Sequence, residues 1–136
     1  MHRWSTHTYK TMCGTPEEEV YMSSTLPRDA LRHGFVLDGL FAVTALDVSH
    51  ELRAQREGGG TASEQEAARY ERLSLEYYNR GSAAFRALLA DIPHETYPMM
   101  YVFSAAAVIM VVSLLGVTVY PLYRVSGAQF FVDSDF

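Results

Sequence analysis

Met99-Met100-Tyr101-Val102-Phe103-Ser104-Ala105-Ala106-Ala107-Val108-Ile109-Met110-Val111-Val112-Ser113-Leu114-Leu115-Gly116-Val117-Thr118-Val119-Tyr120 is the stretch on which the fold turns. It lies inside 28 residues, Thr96 to Tyr123, that carry no formal charge; every acidic or basic residue except Arg124, Asp133 and Asp135 falls within residues 1–95. As a helix, its 22 residues run about 33 Å at about 1.5 Å per residue, enough to cross a bilayer. Tyr97 and Tyr101 at one end, and Tyr120, Tyr123 and Arg124 at the other, resemble an interfacial belt. Ser104, Ser113, Gly116 and Thr118 dilute the hydrophobicity, as in a helix buried in a helical core. Both readings, core helix and membrane span, stand on periodicity alone.

Outward from this stretch the chain reads as helices. With 136 residues, 49% hydrophobic and 20% charged, it can bury one core and is one domain or part of one. Thr15-Pro16-Glu17-Glu18 is a capping box with proline at the first helical position. The run Glu17-Glu18-Glu19 complements the helix dipole and needs no metal. Leu26-Pro27 is expected to break that helix, with a short turn over residues 28–32. From Phe35 to Val48 apolar residues cover most of a helical circumference, so this helix is expected to be largely buried.

Gly58-Gly59-Gly60 lacks the strand before and the Lys-Ser/Thr after that a phosphate loop needs, and reads as a linker. Thr61-Ala62-Ser63-Glu64 repeats the capping logic. A helix to about Ala90 follows, with Tyr70, Leu73, Tyr77, Gly81, Ala84, Phe85 and Leu88 as its apolar stripe and Arg69, Arg72, Glu76, Arg80 and Arg86 facing solvent. Asp91-Ile92-Pro93 ends it. The only strand-like alternation is in Gln129 to Val132. The expected class is all-α, an antiparallel helical array.

Chemistry has few carriers. Asp38 and Asp47, nine residues apart, fall on opposite faces of one helix and form no carboxylate pair. Asp47 and His50 share a face, but no third ligand stands at a matching spacing. Cys13, the single cysteine, excludes a disulfide framework or a thiolate zinc site and reads as a structural thiol. No catalytic residue, cofactor or metal is expected. Net charge is −5, and residues 1–98 hold ten Lys/Arg against fourteen Asp/Glu, so no basic stripe exists to neutralise phosphates and no direct DNA binding is expected. The N-terminus lacks the apolar run of a signal peptide.

Trp4-Ser5-Thr6-His7-Thr8-Tyr9-Lys10-Thr11-Met12, then Leu26-Pro27, then His33-Gly34-Phe35-Val36-Leu37-Asp38-Gly39-Leu40-Phe41-Ala42-Val43-Thr44-Ala45-Leu46 resemble, in order and spacing, the regulatory domain of fungal zinc-cluster transcription factors, the sterol-uptake-control branch in particular. Tyr78-Asn79 and Phe85-Arg86 carry the character of the family's long helix. The likeness spans about residues 2–115. Gly34 stands where the family has proline, and Asp38 and Asp47 where histidine is common, so no role of those histidines transfers. The six-cysteine DNA-binding module has no counterpart in a chain with one cysteine.

The resemblance implies a partial, truncated regulatory domain over residues 1–125, with a tail at 126–136. It would be nuclear, and would sense a sterol-like hydrophobic molecule or modulate a protein partner such as a full-length relative. It also implies a buried helix at Met99 to Tyr120. Phe35, Leu40, Phe41, Phe85, Met99, Met100 and Phe103 are the candidate ligand-binding residues, because aromatics and methionines make adaptable apolar walls. The alternative expectation is a small single-span membrane protein with an acidic helical domain.

Overall fold

The computed structural model describes residues 1–11, 13–59 and 63–114, and these are all-α, with no strand among them. Helix α1 (His2–Thr6) leads through a 3-10 turn (Thr8–Thr11) to α2 (Pro16–Val20), a π turn (Tyr21–Thr25) and α3 (Leu26–Ala30). Two long helices follow, α4 (Gly34–Glu57) and α5 (Glu64–Leu88), and a 3-10 turn (His94–Thr96) opens α6 (Tyr97–Leu114). Thr61, Leu115 to Tyr120, the strand-like Gln129 to Val132 and the 126–136 tail lie outside the described residues.

The first long-range assembly is the α4–α5 hairpin. Ser63 caps α5, its hydroxyl accepting from the Gln65 N–H at 3.1 Å. Beside the turn, Arg53 reaches Glu64 at 3.2 Å and Glu71 at 2.7 Å, and Arg56 reaches Glu64 at 3.0 Å. Far from the turn, Arg80 grips the buried Asp38 carboxylate through Nε at 3.0 Å and Nη2 at 2.5 Å. The helices are therefore antiparallel. Arg80 is largely exposed, as expected of a solvated residue, and from the surface its guanidinium lies over the Tyr77 ring and holds the charge of a carboxylate that packing has removed from water.

The buried positions of α5 are Ala67, Ser74, Gly81 and Ser82, while Leu73 and Ala84 face outward. The expected stripe holds at Gly81, which is buried, and at Tyr77, Phe85 and Leu88, which pack against the core, and fails at Leu73 and Ala84. Small side chains let α4 approach closely, and two of them are serines that a hydrophobicity pattern does not register. A Cβ on Gly81 would stand 3.0 Å from the Phe35 carbonyl oxygen and 3.1 Å from Asp38 Cβ. Proximity to α4 therefore selects glycine there.

Thr15 caps α2 as expected: its Oγ1 accepts from the Glu18 N–H, and the Glu18 carboxylate accepts from the Thr15 N–H, each at 3.2 Å. Leu26-Pro27 does not break the helix. The chain instead widens by one π turn and continues as α3. Leu26 N–H donates to the Tyr21 carbonyl, five residues back. The next rung of that register would run from residue 27 to Met22, and Pro27 has no N–H to give. The Trp4 indole N–H donates to the Met22 carbonyl instead, at 2.7 Å. Trp4 is buried to 1% exposure, which fixes α1 against the π turn.

α6 lays Met99, Met100, Phe103, Ala106, Ile109 and Met110 into the core, against α4 and α5. Phe103 is its anchor. The ring lies 3.0 Å from where a Gly39 Cβ would be and 2.8 Å from where a Gly81 Cβ would be, so one glycine from each long helix opens its seat. The opposite face of α6, with Tyr97, Tyr101, Val108 and Val111, is exposed and equally apolar. By length and composition, His94–Ser113 could cross a membrane, and 39% of its most apolar window is buried.

Candidate functional site

Where α1, the π turn, α3, α4 and α6 meet, they leave a cavity of about 320 Å³. Trp4 closes one wall; Met22 and Leu26 contribute a second, Leu40 and Val43 a third, and Val102 and Ala106 a fourth. Tyr21, Pro98, Tyr101 and Ala105 also line it and are exposed, so they form its open side. None of these residues carries a charge. The Trp4 N–H is already engaged by Met22, and besides Trp4 the lining residues with a polar side-chain group are Tyr21 and Tyr101. Such a space sits at the small end of ligand pockets and removes apolar surface from water with little orienting polarity.

Of the seven residues chosen from the sequence, Leu40 lines this cavity. Phe35, Phe85 and Phe103 instead pack on one another, with centroids 5.1–6.3 Å apart, and Tyr78 stacks on Phe103. Phe41 lies 5.1 Å from Tyr77 on the α5 side. Met99 and Met100 are buried core. Large side chains fill space, and the hollow forms where Ala105, Ala106 and Val43 leave it. Trp4, Tyr21 and Tyr101 were missed as wall residues. The usable signal was Pro27, whose missing N–H makes a local anomaly in the helix beside the cavity.

A smaller, more polar recess of about 110 Å³ lies between α4, α5 and α6, lined in part by His50, Arg53, Glu71, Ser74 and Ser113. Burial, followed by the charge of Arg53, lowers the His50 pKa, against the opposing pull of Asp47 and Glu71. Ser74 Oγ donates to Met110 Sδ at 3.3 Å. Asp47, which shares a helix face with His50 in the sequence, directs its carboxylate elsewhere: it accepts from Thr8 Oγ1 at 2.9 Å and from Arg3 at 3.3 Å, while Arg3 also pairs with Glu51. Asp47 is thereby a tether for the N-terminal turns. Among the described residues no group of three His, Cys, Asp or Glu side chains could hold a metal ion.

Comparison of the chain with protein-family models, with curated proteins and with solved structures finds no match.

Proposed function

We propose that this chain is a regulatory helical module of the zinc-cluster transcription-factor kind. It binds a hydrophobic, sterol-like small molecule in the cavity between Trp4 and Tyr101 and passes the occupancy to a protein partner such as a full-length relative, in the nucleus. It performs no catalysis and contacts no DNA itself. The observation that carries this reading is the cavity, about 320 Å³ with uncharged walls drawn from five helical elements. A ligand there touches α1, the π turn, α3, α4 and α6 at once, so binding ties the N-terminal elements to α6. At a hundred times its Kd, a ligand of the folded state alone adds about 2.7 kcal/mol to stability. That changes the orientation and order of the surfaces a partner meets.

Titration of the full chain with a labelled sterol tests this. Saturable binding that is lost on Ala105→Phe supports it, and a signal no greater than that of an unrelated helical protein sinks it.

The exposed apolar face of α6 favours a second reading, a small membrane protein attached through that helix. Cell fractionation separates the two. Recovery without detergent in the soluble fraction defeats the membrane reading, and retention in the pellet until detergent is added defeats the first.

A further inference from the structure

We propose that the ligand of the Trp4–Tyr101 cavity is uncharged, with a hydrocarbon body of about two rings or ten carbons buried and a single hydrogen-bonding group left at the Tyr21 and Tyr101 hydroxyls. This rests on the ligand-binding reading above and narrows its chemistry.

Size comes first. An apolar cavity of about 150 Å³ holds one benzene, and this one is about 320 Å³, so the enclosed part of a ligand is of about two-ring size. A longer or larger molecule leaves its remainder outside, in water.

Charge decides the class. No lining residue is cationic, so a carboxylate or phosphate entering the cavity meets no counter-charge. The chain carries −5 overall, and the charge that acts on Tyr21 is the carboxylate of Asp29. Burial, and after it the charge of Asp29, raises the Tyr21 phenol's pKa, so that group stays a neutral donor and acceptor. A cation is disfavoured by the same apolar walls. Tyr21 and Tyr101, 37% and 78% exposed, line the open side, and each carries a hydroxyl for a polar head to meet.

The test uses Trp4, the one tryptophan in the chain, as a reporter inside the wall. Its emission is followed while the full chain is titrated with 1-hexanol, 1-octanol, 1-decanol, 1-dodecanol and, at pH 8, decanoate. Affinity for the alcohols is expected to rise about fourfold per methylene and to level off near ten carbons, with decanoate at least tenfold weaker than 1-decanol. Tyr101→Phe, an exposed position, is expected to weaken 1-decanol several-fold.

Decanoate binding as tightly as 1-decanol overturns the neutral class, while the cavity remains a ligand site. Affinity that climbs undiminished through 1-dodecanol overturns the size, and an unaltered Tyr101→Phe overturns the head-group assignment. If no alcohol perturbs Trp4, or if Ala105→Phe leaves every titration unchanged, the ligand-binding reading itself falls.

Discussion

The Trp4 indole N–H donates at 2.7 Å to the Met22 carbonyl, the acceptor that Pro27 leaves without a donor in the π register. One residue's missing hydrogen is supplied by another more than twenty positions away, so their energies are coupled. Trp4→Phe is expected to cost about 1–3 kcal/mol in urea unfolding, from the orphaned carbonyl and the lost indole packing. In a Pro27→Ala background, where residue 27 has its own N–H, the same substitution costs less. Additive losses in the double-mutant cycle would refute the coupling.

Phe103 and Gly81 give the second prediction. Gly81→Ala places a methyl where the ring, the Phe35 carbonyl and Asp38 already stand, and is expected to destabilise by about 1–3 kcal/mol through overpacking. Phe103→Ala is expected to cost about 3–5 kcal/mol. Phe103→Leu removes the crowding, so Gly81→Ala should be cheaper in that background than alone. An equal or greater cost there counts against the glycine seat.

His50 sets a pH dependence. Burial first, then Arg53, holds its pKa below the ordinary 6.5. The folded protein thus prefers the neutral ring. That preference is fully satisfied above the unfolded value, and its contribution is lost as pH falls from about 6.5 through the lower folded pKa. Urea unfolding is expected to show stability decreasing as pH falls below about 6.5, with a shallower decrease in His50→Gln. Identical slopes for the two proteins would remove His50 as the cause.

Cys13 gives a kinetic prediction. Its thiol is pushed up to about 11 by burial, and then by Glu18 and Glu19. Since the thiolate is the nucleophile, iodoacetamide at pH 8 should react roughly tenfold or more slowly than with an unperturbed thiol. The rate should keep climbing between about pH 9 and 11, where an ordinary thiol has levelled off. Glu19→Gln, which leaves the Thr15–Glu18 cap in place, shifts that profile to lower pH. A profile matching that of a small free thiol contradicts the assignment.

Features written locally in the chain were readable from it. The Thr15 cap, the long helices after His33 and Ser63, and the stop at Asp91-Ile92-Pro93 follow from side chains acting on their own backbone. What could not be read depends on residues far apart in sequence. The π turn needs the Trp4 N–H to donate to the stranded carbonyl; otherwise Pro27 reads as a break. On the α5 seam Gly81 stood in the expected stripe, but Ser74 and Ser82, which sit there for their size, did not. The cavity was misplaced for the same reason: the phenylalanines that suggest a pocket by composition fill the core, and the hollow arises where five segments far apart in the chain meet.

The Phe103 seat has a consequence for the order in which the chain assembles. Half of the seat belongs to Gly39 and half to Gly81, so it does not exist until α4 and α5 have closed on each other. Those helices are neighbours in sequence, and their hairpin closes a short loop at low entropic cost. α6 is then the last long helix to find its place. During each folding event both of its apolar faces are open to water, to another chain, or to whatever hydrophobic surface lies nearest, and the interval before Phe103 docks is when the protein is most exposed to association with something other than itself.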